Sequence, residues 1–227
     1  SNLSAGLSNI SYKYMDGFGR LIQTKNQAEN GFVTLDFVYN NLGNLIKESL
    51  PYITSIESYS SPTTNTSLLK QYSYDSLDRI ISTSDSSGSI FNKYYLWTTQ
   101  ITDQLGNEKV YENDAYGNLI AVKESITPGA FYTTLYSWDP NSNLIKITDA
   151  EGNIRRFLYD ALGRRTMAED VHSPSDPTFG VYVYNYDLVG NLKSYQDPNG
   201  NLINYTYDNI NRVLSEDSNS TVGVDTV

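Results

Sequence analysis

The sequence predicts an all-β protein: a run of consecutive antiparallel β-hairpins forming a long curved sheet, open or partly closed, with little or no helix. The first reason is a turn signature that recurs at Asp16, Asn40, Asp75, Asp114, Asp139, Asp160, Asp187 and Asp208. Three residues after each stands Gly19, Gly43, Asp78, Gly117, Ser142, Gly163, Gly190 or Asn211, and the residue after that is always Arg or Asn. The second reason is aromatic alternation ahead of the turn, as in Tyr72/Tyr74, Tyr136/Trp138, Phe157/Tyr159, Tyr184/Tyr186 and Tyr205/Tyr207, which sets two rings on one face of a strand. The third is spacing. A second turn series (Asp85-Ser-Ser-Gly88, Asp103-Gln-Leu-Gly106, Asp149-Ala-Glu-Gly152, Asp197-Pro-Asn-Gly200) falls between the first, so a turn recurs about every ten residues.

Each position has a physical reason. Asp or Asn at the head of a turn hydrogen-bonds the backbone two residues on. The fourth position is mostly of types that tolerate a left-handed backbone, as a type I turn with a following bulge requires. An aliphatic residue then re-enters the strand at Leu21, Leu45, Ile80, Leu119, Leu144, Leu192 and Val213, with Arg165 as the exception. Strands of about six or seven residues result, near the usual length. Open twisted sheets of so many strands tend to curl or close, hence the expected curvature. Segments 49–70, 124–134 and 168–181, rich in Ser, Thr and Pro, interrupt the array as long loops or extended hairpin tips. They separate hairpins within one array over residues 1–227.

Composition narrows the function. The chain has 227 residues, 39% of them hydrophobic, long enough to bury a sizeable core. It has 20 Tyr, no Cys and a formal net charge of -10. No disulfide can form, so packing and backbone pairing must hold the fold. Without a basic stripe there is nothing to displace counterions from nucleic acid, so no nucleic-acid partner is expected. No apolar run is long enough to span a bilayer, and the start shows no signal-peptide pattern. Ser1-Asn2 reads as a tag scar, and the whole as a piece of a longer chain.

The set Tyr159-Asp160-Ala-Leu-Gly163-Arg164, in eight degenerate copies from Tyr12 to Leu214, resembles the YD-repeat or Rhs-repeat family. Met15 moves the tyrosines of the first copy one place from the turn, and Asn113 interrupts the fourth. The stretch from Asp16-Gly-Phe-Gly19-Arg20 through Tyr39-Asn-Asn-Leu-Gly43-Asn44 also resembles the repeat region of large bacterial proteins related to insecticidal toxin complex B components and SpvB-like toxins, and teneurins carry similar repeats. The resemblance implies a β-sheet strip that spirals into a hollow shell around a C-terminal toxin or effector polypeptide, in a secreted or cell-surface bacterial protein. Its partners would be neighbouring repeats and that cargo. Excision would leave unpaired edges open to edge-to-edge self-association. The family's aspartyl autoprotease core contains Asp-Pro motifs. Asp139-Pro140, Asp176-Pro177 and Asp197-Pro198 do not reproduce it, so no catalytic residue carries over.

Turn and strand chemistry accounts for most residues that could otherwise suggest a site. Asp197-Pro-Asn199-Gly-Asn201 superficially resembles a calcium loop but lacks the distal bidentate Glu, so no metal or cofactor is expected. Glycoside hydrolysis needs one carboxylate pair flanking a bond, whereas acidic residues recur here in every unit. His172, the sole histidine, sits in a polar Pro-containing loop and is expected to be solvated. Asp160, Gly163, Asp187 and Gly190 are assigned to structural turns, and Arg20, Arg79, Arg164 and Arg212 to surface pairs with the turn Asp residues. The aromatic rows read first as cross-strand ladders, each pair contributing about 0.2–1 kcal/mol. The alternative is a carbohydrate- or protein-binding surface, with Tyr136, Trp138, Tyr184 and Tyr186 as the stacking rings for a glycan.

Overall fold

The computed structural model of the chain describes residues 10–127 and 129–219. Among these residues nineteen strands follow one another, and the helical content is one turn of 3-10 helix, Thr66–Leu68. The Cα positions cluster into two compact units. The first runs to Tyr95 and takes in Thr99–Glu108, and the second comprises Leu96–Thr98 and the described chain from Lys109 onward.

Strands β1 (Ser11–Met15), β2 (Leu21–Ala28) and β3 (Gly31–Tyr39) begin the first unit as an antiparallel meander. The long β3 then serves two neighbours, β4 (Leu45–Ser49) along residues 37–39 and β5 (Tyr52–Thr54) along residues 32–34. Strand β4 also pairs with β6 (Leu69–Tyr74), and the meander resumes through β7 (Ile80–Asp85), β8 (Gly88–Tyr94) and β9 (Thr98–Thr102). Segment 49–70 therefore holds β5 and the 3-10 turn.

Strand β10 (Glu108–Asn113) leads into β11 (Leu119–Thr127), β12 (Ala130–Trp138), β13 (Leu144–Thr148) and β14 (Ile154–Tyr159), each antiparallel to the one before. The same order continues through β15 (Arg165–Glu169), β16 (Val181–Tyr186), β17 (Leu192–Gln196), β18 (Leu202–Tyr207) and β19 (Val213–Asn219). Segment 124–134 is the end of the β11–β12 hairpin, with strand on both sides of the tip; Pro128 lies outside the described residues.

The eight first-series turns share a bulge. The register slips just before each, for example between Tyr14/Met15, Ser137/Trp138, Leu158/Tyr159 and Thr206/Tyr207. One residue of the returning strand is passed over, such as Ile22, Ile145 or Leu214, which increases local twist. The second-series hairpins at Asp149 and Asp197 close without the slip.

The length allows a sizeable core, and the fold does not build one. Among the described residues only Leu69, Ala121, Val122, Ile154, Phe157 and Ala168 are buried apolar residues, and the largest fully buried side chains are Lys25, Gln23, Thr34 and Asp36. In a chain organised as successive hairpins, most residues face solvent on one side. Backbone ladders and side-chain bonds must then supply what a core otherwise would.

Candidate functional site: the repeat clasp

One carboxylate organises each turn, except at Asn40, where an amide oxygen takes its place. At Asp160, Oδ1 accepts the backbone N–H groups of Leu162 and Arg164, both at 2.9 Å, and Oδ2 accepts Nε of Arg164 at 2.6 Å. The Asp160 backbone N–H donates to the Arg164 carbonyl, and Gly163 N–H donates to the Asp160 carbonyl. The same pattern closes the Asp187 turn, where Nδ2 of Asn191 replaces the Arg Nε. The residue four positions on is therefore Arg or Asn because either can offer an N–H to the second carboxylate oxygen. The fourth residue of the turn has positive φ throughout the first series, including the non-glycine Asp78, Ser142 and Asn211. Turns at Asp103, Asp149 and Asp197 repeat the geometry, whereas Asp85 pairs directly with Gly88 across a two-residue hairpin. Backbone and side-chain N–H groups hold the carboxyls of Asp16, Asp75, Asp103, Asp114, Asp139, Asp149, Asp160, Asp197 and Asp208 below the usual range. At Asp187 the same donors overcome an opposing desolvation effect, with the same net direction.

Aromatic side chains tie a hairpin to the strand before it, except in the copies where Met15 and Asn113 stand in the ring's place. Tyr159 donates its hydroxyl to the Leu144 carbonyl at 3.0 Å, Tyr186 to Arg165 at 2.9 Å and Tyr207 to Leu192 at 2.9 Å. Trp138 makes the equivalent bond from Nε1 to Leu119, and in the first unit Tyr39, Tyr74 and Tyr94 reach Leu21, Leu45 and Ile80. Each acceptor is the first strand residue after a preceding turn. The rule explains Tyr or Trp at this position: each carries a donor that Phe lacks. Three of the four turn arginines add to the bond: the guanidinium of Arg20 lies 4.8 Å from the Tyr39 ring, Arg79 4.3 Å from Tyr94 and Arg164 4.8 Å from Tyr186. Arg165, the exception in the aliphatic row, stacks 4.9 Å over Tyr184 while its carbonyl takes the Tyr186 hydroxyl.

Sequence reasoning missed a buried polar patch in the first unit. Gln23 faces Asp36 in register, and Lys25 faces Thr34. Gln23 Nε2 donates to Asp36 Oδ1 at 2.6 Å and to the Ser60 carbonyl at 3.0 Å, while Ser60 N–H donates back to Gln23 Oε1 at 3.1 Å. Lys25 Nζ donates to the carbonyls of Ile56 and Ser58, each at 2.7 Å. Asp36 Oδ2 takes the Tyr52 hydroxyl at 2.6 Å and the Thr63 N–H at 2.8 Å. Burial pushes the Lys25 ammonium down and the Tyr52 phenol up. Segment 56–63 is thus strapped to the sheet through its backbone. The available signal was polar residues at every second position of two adjacent strands, Gln23/Lys25 and Thr34/Asp36.

His172 is not solvated. It is 7% exposed, its ring stacks 3.8 Å from Phe179, and its backbone bridges to Ile154. The expectation failed because the polar loop folds back onto β14. Of the rings considered for sugar stacking, Trp138 and Tyr186 are engaged through their donors, Tyr184 packs on Tyr195 with centroids 5.3 Å apart, and Tyr136 is half-buried. The Asp197 carboxylate accepts from the backbone of Asn199 and Asn201 and from the Asn201 amide.

These features define a class: an antiparallel hairpin repeat whose rings join one hairpin to the last. The family model of the teneurin YD-shell matches residues 92–222, and the chain belongs to that family. No curated protein matches. Among solved structures, the crystal structure of TcdB2-TccC3-Cdc42 is 17% identical with a TM-score of 0.75, over 94% of this chain and 13% of that one. The crystal structure of TcdB2-TccC3-TEV is 16% identical with a TM-score of 0.72, over 93% and 13%. The Photorhabdus luminescens Tc holotoxin pore is 16% identical with a TM-score of 0.75, over 94% and 12%. At these identities the likeness speaks to the fold, and the chain spans about an eighth of the length of those chains.

Proposed function

We propose that this chain is one stretch of a single YD-repeat array within a longer protein, serving as wall material of a shell that encloses a toxin or effector polypeptide. The role is structural, and the protein is a secreted or cell-surface bacterial one. The observation that carries the reading is the repeated clasp: carboxylates with Arg or Asn partners close the turns, and tyrosine hydroxyls join a hairpin to the previous one. Likeness in fold to Tc assemblies supports it. The involvement of Trp138 and Tyr186 in clasps favours a ladder over a glycan platform at these rings.

Protease protection of the full-length protein tests the reading. The polypeptide following the repeats should resist cleavage in the intact protein, and Phe at Tyr159, Tyr186 and Tyr207 should expose it. Equal cleavage of that polypeptide with and without the repeats would overturn the enclosing role.

A further inference from the structure

The segment between β15 and β16 is fastened at one buried point. Ile154 N–H donates to the His172 carbonyl at 2.7 Å, and His172 N–H donates back at 3.0 Å. The ring behind that bridge has an acceptor at each nitrogen: Nδ1 is 2.8 Å from the Ser173 carbonyl, and Nε2 is 3.1 Å from Oε2 of Glu169. A carbonyl cannot donate. The Glu169 carboxylate is itself held as an acceptor by the Arg156 backbone N–H at 3.1 Å, with the Arg156 guanidinium 3.6 Å from its other oxygen. Neutral imidazole carries one N–H and would set a lone pair against one of these oxygens, while the imidazolium satisfies both.

We propose that His172 is a pH-set latch, which in its protonated form fastens residues 170–180 to β14 and β15 and on losing its proton lets them go. The groups that face the ring are Glu169 on β15, Arg156 on β14, and Ser173, Asp176 and Phe179 on the segment itself. Arg155 is turned to the Glu169 carbonyl, and Asp170 to Tyr182. Burial works against the charged ring, as does Arg156, but the bonds to Glu169 and Ser173 outweigh them and raise the pKa above its ordinary 6.5. A raised histidine stabilises fully below the unfolded value, and that stabilisation is lost as pH rises through the folded one. The segment is therefore fastened in mildly acidic solution and freed as the solution becomes alkaline.

His172 is the sole histidine, so its ring nitrogens can be followed by NMR in the full chain without assignment by mutation. The ring should titrate above 6.5, and intrinsic-rate-corrected amide protection at Ile154 and His172 should fall at least tenfold across that midpoint. Glu169→Gln should lower the midpoint. His172→Phe, which keeps a ring on Phe179, should make protection independent of pH whatever its level. Wild-type protection equal on both sides of the midpoint, or a ring that titrates below 6.5, would overturn the latch.

Discussion

Asp160 and Asp36 each accept three hydrogen bonds, but from different distances along the chain. The donors to Asp160 are Leu162 and Arg164, two and four residues away. Those to Asp36 are Gln23, Tyr52 and Thr63, separated from it by 13, 16 and 27 residues. The first arrangement forms from local sequence and repeats wherever that sequence repeats. The second exists only once β2, β3, β5 and the strap have assembled, and it is made once. A local carboxylate at the surface can be lost singly at modest cost, whereas a buried one holds several distant groups with little or no water to turn to.

The largest effect should come from breaking the distant arrangement. Asp36→Ala leaves the buried Gln23 amide and the half-buried Tyr52 hydroxyl and Thr63 N–H each one acceptor short; at about 1–3 kcal/mol for the buried group and less for each of the others, a loss of about 2–4 kcal/mol is expected in urea unfolding. A loss within 1 kcal/mol would mean that the strap is not held through Asp36. The turns should instead yield collectively to acid. Their carboxyls have folded pKa values below the ordinary range, so their contribution is present above the unfolded value near 4 and disappears as pH falls through the folded values. Asn40 heads a turn of the same geometry without a carboxyl, so the amides of Leu42 and Asn44 should keep their exchange protection at a pH where those of Leu162 and Arg164 lose theirs. The smallest effects should come from the left-handed position. Gly163→Ala, at φ 75°, should cost about 1–2 kcal/mol, while Ser142→Gly, at φ 61°, should gain up to about 1 kcal/mol in thermal unfolding.

The same difference decides what could be read in the sequence. The hairpins were legible because Asp, Gly and the aromatic pair act within a few residues of one another. The need for Arg or Asn was visible as a pattern, but its partner, the second carboxylate oxygen, was not. The alternation of Gln23 with Lys25 hints at a polar face, but what buries Lys25 is not local, since its acceptors at Ile56 and Ser58 come from a segment that reads as a polar loop. His172 misled for the same reason: its burial depends on Ile154, 18 residues earlier in the chain.

In the second compact unit the ring next to a turn is a clasp, while the ring two residues before it is packing; in the first, Tyr72 at the earlier position also donates its hydroxyl to Glu48 Oε1 at 2.6 Å. Tyr159, Tyr186 and Tyr207 each donate to the preceding hairpin of the same compact unit, and the partner position already holds Phe157 in one copy. The direct test compares two triple variants in urea unfolding, Phe at Tyr159, Tyr186 and Tyr207 against Phe at Tyr136, Tyr184 and Tyr205. The first should lose about 1.5–4.5 kcal/mol, at about 0.5–1.5 per hydrogen bond, and the second should stay near wild type. Equal losses in the two variants would contradict the clasp.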